Sequence, residues 1–76
     1  MPALRPVYFQ RLVRVFEQDG FRYDRQEGRP PDLRKSGVRR PIVIPTYHAV
    51  PLFIIKNLLR TSAMSRERYF ELLKDS

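Results

Sequence analysis

The apolar residues of this chain change their period twice, from helical to alternating and back, and this restricts the fold more than any other feature. Between Val7 and Asp19, Phe9, Leu12, Val13 and Phe16 recur at spacings of three and four, one stripe of an amphipathic helix. Pro6 precedes the segment, and Gly20 follows it as a natural left-handed closure. Arg11, Arg14, Glu17 and Gln18 fall on the solvated side. Phe21-Arg22-Tyr23-Asp24-Arg25 then alternates aromatic with polar, which suits a half-buried strand. Arg40-Pro41-Ile42-Val43-Ile44-Pro45 is β-branched and bounded by prolines, a short buried strand, with Tyr47-His48-Ala49 as the connection behind it.

From Pro51, a residue suited to a first helical turn, the helical period returns. Leu52, Ile55 and Leu59 line one stripe, Ile54 and Leu58 widen it, and Lys56, Asn57 and Arg60 form the polar wedge. Thr61-Ser62-Ala63-Met64 interrupts. Ser65 then caps a last helix, with Glu67 in its first turn and Tyr69, Phe70, Leu72 and Leu73 on its apolar side. Between the first two strands, Gln26 to Gly37 offers almost nothing to bury, and the adjacent Pro30 and Pro31 have no N–H to give a ladder. That stretch reads as irregular or as a strand, with a regular central strand disfavoured. The order predicts a small α+β domain whose sheet is covered on one face by helices.

Size and charge narrow the function. Seventy-six residues make one domain, spanning 1–76, which buries only roughly 60–65% of its unfolded surface and encloses no large substrate cavity. Without cysteine there is no disulfide framework or thiolate zinc site, and the single His48 supplies no metal cluster, so no cofactor is expected. The longest apolar run, Val50 to Ile55, has six residues, against the roughly 18–20 that a bilayer requires. Met1-Pro2-Ala3-Leu4-Arg5-Pro6 lacks the apolar stretch of a signal peptide, so a soluble protein of a reducing compartment, the cytoplasm, is expected. Fifteen Lys and Arg against eight Asp and Glu leave a charge of +7, which points to an anionic partner, nucleic acid first.

Several stretches share a pattern with a known family. They are Phe16-Glu17-Gln18-Asp19-Gly20-Phe21, Arg25-Gln26-Glu27-Gly28, Arg40-Pro41-Ile42-Val43-Ile44-Pro45, Phe53-Ile54-Ile55-Lys56-Asn57-Leu58-Leu59-Arg60-Thr61 and Met64-Ser65-Arg66-Glu67. As a set they resemble the HicA-type toxins of bacterial toxin–antitoxin modules, over nearly the whole chain. The resemblance implies a fold like that of double-stranded-RNA-binding domains: a helix, a three-stranded antiparallel sheet and a closing helix. It further implies metal-independent cleavage of messenger RNA and a HicB-type antitoxin as partner. The family's active residue is a His in a Gly-Ser-His or Gly-Asp-His motif that opens the second strand. A His there makes chemical sense as the general base that takes the ribose 2′-hydroxyl proton.

This chain departs from the family at that motif. Gly28 matches, but Arg29 stands at the Asp or Ser position and Pro30 at the His position, and proline transfers no proton. No catalytic residue is therefore intact, and catalysis is expected to be impaired. Codon arithmetic offers one explanation. If Gly28 through Arg34 are encoded GGG-CGA-CCA-CCT-GAT-TTA-CGC, the same bases read one nucleotide later spell Gly-Asp-His-Leu-Ile-Tyr, the family motif with its strand. Loss of one base near Lys35 would restore the frame. The other explanation is ordinary divergence of a loop, and the coding DNA across these codons decides between them.

Residues 22 to 40 hold Arg22, Arg25, Arg29, Arg34, Lys35, Arg39 and Arg40 against Asp24, Glu27 and Asp32, an excess of four positive charges. The candidate RNA contacts are Arg25, Arg34, Lys35, Arg39 and Arg40, extended by Lys56 and Arg60, four apart on one helix face; the competing reading is a solvated basic surface. Tyr23, Tyr47 and Phe53 are read first as core or cross-strand packing and second as stacking platforms for bases. His48 reads as a surface loop residue, with no carboxylate or Ser within three residues to orient it. Besides a HicA-like endoribonuclease, a non-catalytic module that binds RNA or only the antitoxin is weighed. A DNA-binding helix-turn-helix over Pro51 to Leu73 is set aside, because Arg66, Glu67, Arg68, Glu71, Lys74 and Asp75 cancel to zero charge.

Overall fold

The computed structural model describes residues 3–24 and 30–76, and in it the helix ends are closed by local turns and by one long-range contact. Helix α1, Phe9–Gln18, buries Leu12, Val13, Val15 and Phe16. Tyr8 at its N-cap makes no side-chain cap, and the free N–H of Phe9 instead meets the carbonyl of Tyr47 at 3.2 Å. At its other end Gly20 takes φ +101°, the Gly20 N–H donates to the Glu17 carbonyl and the Phe21 N–H to that of Phe16, each at 3.0 Å. This is a Schellman closure, and its accompanying apolar contact is the edge-on pair Phe16–Phe21, ring centres 5.5 Å apart.

Helix α2, Leu52–Ser62, buries Ile55, Leu58 and Leu59, while Leu52 and Phe53 stay exposed. Pro51 is the N-cap rather than the first turn. The expected break at Thr61 to Met64 shifts to Ala63 to Ser65, because Thr61 and Ser62 are still helical. Ala63 closes α2 in the left-handed region at φ 58°, and the Met64 N–H reaches the Leu59 carbonyl at 3.0 Å. Helix α3, Arg66–Leu73, starts as expected, with the Ser65 hydroxyl accepting from the Arg68 N–H at 3.1 Å.

The sheet corrects one expectation. Strands β1 (Arg22–Asp24), β2 (Asp32–Arg34) and β3 (Ile42–Val43) form an antiparallel meander in the order β1-β2-β3, so the disfavoured stretch supplies the middle strand. The prolines are accommodated because the strand begins just after them and needs no N–H from Pro31. The Pro31 carbonyl still accepts from the Ile44 N–H at 3.0 Å. Leu33, fully buried, sits opposite Tyr23 on one side and Ile42 on the other. Arg25, Gly28 and Arg29 lie outside the described residues.

One side of the sheet faces the core of Phe16, Leu33, Ile42, Ile44 and Ile55, where α1 packs on β1 and β2 and α2 lies against β3. Helix α3 closes the molecule against α1. Asp19, at the end of α1, ties the elements together: its carboxylate takes Lys35 Nζ at 3.3 Å and Arg68 Nε at 3.2 Å. Among the described residues no helix is long and apolar enough to cross a membrane.

Tyr69 of α3 is buried, and its hydroxyl has no hydrogen-bond partner among the described residues. Burial pushes its pKa from 10.0 up to about 12, against a downward pull from Arg11. The native state therefore holds this proton longer than the unfolded chain does. The corresponding stability is fully present below pH 10 and is lost as pH rises through about 12. Tyr69→Phe removes the orphaned hydroxyl. It is expected to leave stability at neutral pH equal or higher by up to ~1 kcal/mol, and to flatten its decline at alkaline pH. Urea unfolding across a pH series measures both effects.

Candidate nucleic-acid interface

The alternation of β1 and β2 that turns Leu33 inward turns arginines outward. Arg22 stands directly opposite Arg34 on the sheet face away from the core, with Asp32 and the exposed Val43 farther along it. Like charges opposed across two strands repel, and Asp32 on the same face offsets this in part. Among the described residues the one ion pair of Arg34 is with Asp32: its Nε lies 3.6 Å from Oδ1, beyond hydrogen-bond length, and that buried oxygen has no hydrogen-bond partner there. The turn after β2 brings Arg39 to the same place. Arg22, Arg34, Lys35 and Arg39, with Ser36, Val38 and Pro41, line a shallow depression of about 390 Å3.

A second basic surface lies where α2 meets α3. Lys56, Arg60 and Arg66 line a depression also of about 390 Å3, floored by Leu4, Leu59 and Met64. Helix α2 carries no acidic residue, so no carboxylate of its own neutralises these cations. A third depression, about 450 Å3 between α1 and β1, is lined by Phe9, Gln10, Val13 and Tyr23 with Arg14 and Glu17 at its charged rim. Those two charges cancel, so this depression carries no net charge from its lining.

The expected contacts therefore separate. Arg34, Lys35 and Arg39 come together beside the sheet, Lys56 and Arg60 come together on α2, and Arg40 is exposed outside both depressions. Lys35 is already engaged: it pairs with Asp19, and its ammonium lies 5.5 Å from the centre of the Phe21 ring. Arg22 and Arg66 were absent from the expected set. The alternation of β1 was the available signal for Arg22, but its partnership with Arg34 depends on a register that sequence does not state. For the aromatics, the core reading is overturned at Tyr47 and Phe53, which are 53% and 68% exposed, while Tyr23 is half-buried.

Among the described residues no His stands beside these arginines. Pro30 is exposed at the head of β2, where the resemblance places a His. His48 is exposed in the loop before α2, with its ring stacked on Tyr8 at 5.8 Å and 13°. Among the described residues no side chain hydrogen-bonds its imidazole, and no three His, Cys, Asp or Glu residues gather to hold a metal. What these surfaces offer is positive charge, from exposed guanidinium and ammonium groups. No protein-family model, no curated protein and no solved structure matches the chain.

Proposed function

We propose that this chain is a HicA-like, RNA-binding protein of a toxin–antitoxin system, acting in the cytoplasm, that holds RNA without cleaving it. The observation that carries the reading is the group of Arg22, Arg34 and Arg39 around one depression on the open face of the sheet. Phosphates placed there relieve the repulsion between opposed arginines and make charge-assisted contacts to them. The helix–sheet–helix order with an antiparallel meander is compatible with the double-stranded-RNA-binding-like fold that the resemblance implies. A HicB-like antitoxin is the protein partner on the same ground, since an acidic inhibitor finds these arginines equally accessible.

Cleavage by the 2′-oxygen requires a base beside the ribose, and Pro30 provides none. The purified protein is therefore expected to retain an unstructured RNA at low salt, to release it progressively as salt rises, and to leave it intact. Gel electrophoresis and filter retention of one labelled RNA measure all three. Specific cleavage lost in His48→Ala would overturn the non-catalytic assignment, and absence of retention at low salt would overturn RNA as the ligand.

A further inference from the structure

Among the described residues, four of the five large apolar side chains left exposed lie at one junction: Tyr8 (38%), Tyr47 (53%), Leu52 (37%) and Phe53 (68%). Solitary exposed apolar residues are ordinary, whereas a group of them marks a contact surface. The group is assembled by the backbone. Val7 and Val50 form an antiparallel bridge and the Phe9 N–H meets the Tyr47 carbonyl, which brings the segment before α1 against the loop before α2. Tyr8 and His48 then stack nearly parallel, with ring centres 5.8 Å apart.

The aromatic group continues into a cationic strip. Phe53, Lys56 and Arg60 follow one another at helical spacings of three and four on α2, so they share a face over about 10 Å of helix. Lys56 and Arg60 reach the depression that Arg66 completes, and Leu4, four residues before Tyr8, forms part of its floor. Flat apolar rings beside acid-free cations match the two chemistries of an unpaired strand, whose bases have faces to stack and whose phosphates have charge to neutralise. A duplex offers only the phosphates, because its bases are stacked on one another.

We infer that this junction is a single-strand site, with unpaired RNA bases stacking on Tyr47 and Phe53 beside the Tyr8–His48 pair and with phosphates on Lys56 and Arg60. This rests on RNA being the ligand and adds the strandedness it must have. The chain contains no Trp, so Phe53→Trp places a single indole at the site. Its emission is expected to fall on addition of an oligoadenylate of about 12 nucleotides, a length within the usual single-strand site range, and to be unchanged by an abasic ribose-phosphate chain of equal length. In the parent chain, Tyr47→Ala and Phe53→Ala should each weaken oligoadenylate binding roughly tenfold and leave binding of an RNA duplex unchanged.

The outcomes separate the two proposals. Retention of oligoadenylate and abasic chain alike, with no effect of either alanine, overturns the stacking site and leaves RNA binding standing. Retention of no RNA by any variant overturns both. An indole emission that changes with protein concentration and not with RNA marks the junction as an interface between copies of the chain, and overturns the inference.

Discussion

Leu33→Ala is expected to remove ~2–5 kcal/mol of stability, because Leu33 is fully buried and its removed methyl groups leave a cavity that the backbone cannot close. A domain of this size has only about 4–11 kcal/mol in total, so the variant is expected to lose a large share of its stability. The effect is large for a particular reason. Strand β2 has three residues and its neighbours Asp32 and Arg34 turn away from the core, so Leu33 alone anchors the middle of the sheet. Val43→Ala, on the opposite face and 49% exposed, is the control and is expected to cost within about 0.5 kcal/mol. Urea unfolding followed by circular dichroism measures both. Equal midpoints would show that β2 is not seated on the core.

The second large effect is electrostatic. Replacing Arg22, Arg34 and Arg39 together by Ala is expected to lower RNA affinity by at least roughly tenfold at low salt. It is also expected to flatten the dependence of log affinity on log salt by about 2–3, near one unit for each phosphate that is no longer neutralised. The comparison that gives this meaning is Arg5→Ala with Arg14→Ala and Lys74→Ala, three exposed cations outside the depression whose removal lowers net charge by the same amount. If both triple variants lose affinity and slope equally, the charge of +7 acts as a diffuse cloud and the sheet face has no special part. A selective loss in the first triple places phosphates on the sheet.

The legible parts of the fold were those in which neighbours in sequence do the work. The stripe of Leu12, Val13 and Phe16, the glycine that ends α1 and the serine that starts α3 each act within a turn or two of chain, so residue type and spacing are sufficient. Strand β2 was not legible for the opposite reason. Its local composition argues against a strand, and it forms because Leu33 finds Tyr23 and Ile42 across two ladders and the Pro31 carbonyl finds Ile44. Lys35 illustrates the same limit at the candidate site. In sequence it is one more cation of a basic block, and only folding sets it against Asp19, sixteen residues away.

By itself, then, the sequence determined a small basic α+β chain with three helices, no thiol chemistry and a proline where the family it resembles carries a histidine. Tertiary structure decided how the positive charge is divided. It turned Arg22, Arg34 and Arg39 to the open side of the sheet, set Lys56, Arg60 and Arg66 around the junction of α2 and α3, and engaged Lys35 with an internal carboxylate. It also left Tyr47 and Phe53 uncovered, where the first reading of the sequence was core or cross-strand packing. Composition counts charges and rings, whereas strand register and helix packing, set by contacts between distant residues, decide which of them share a surface.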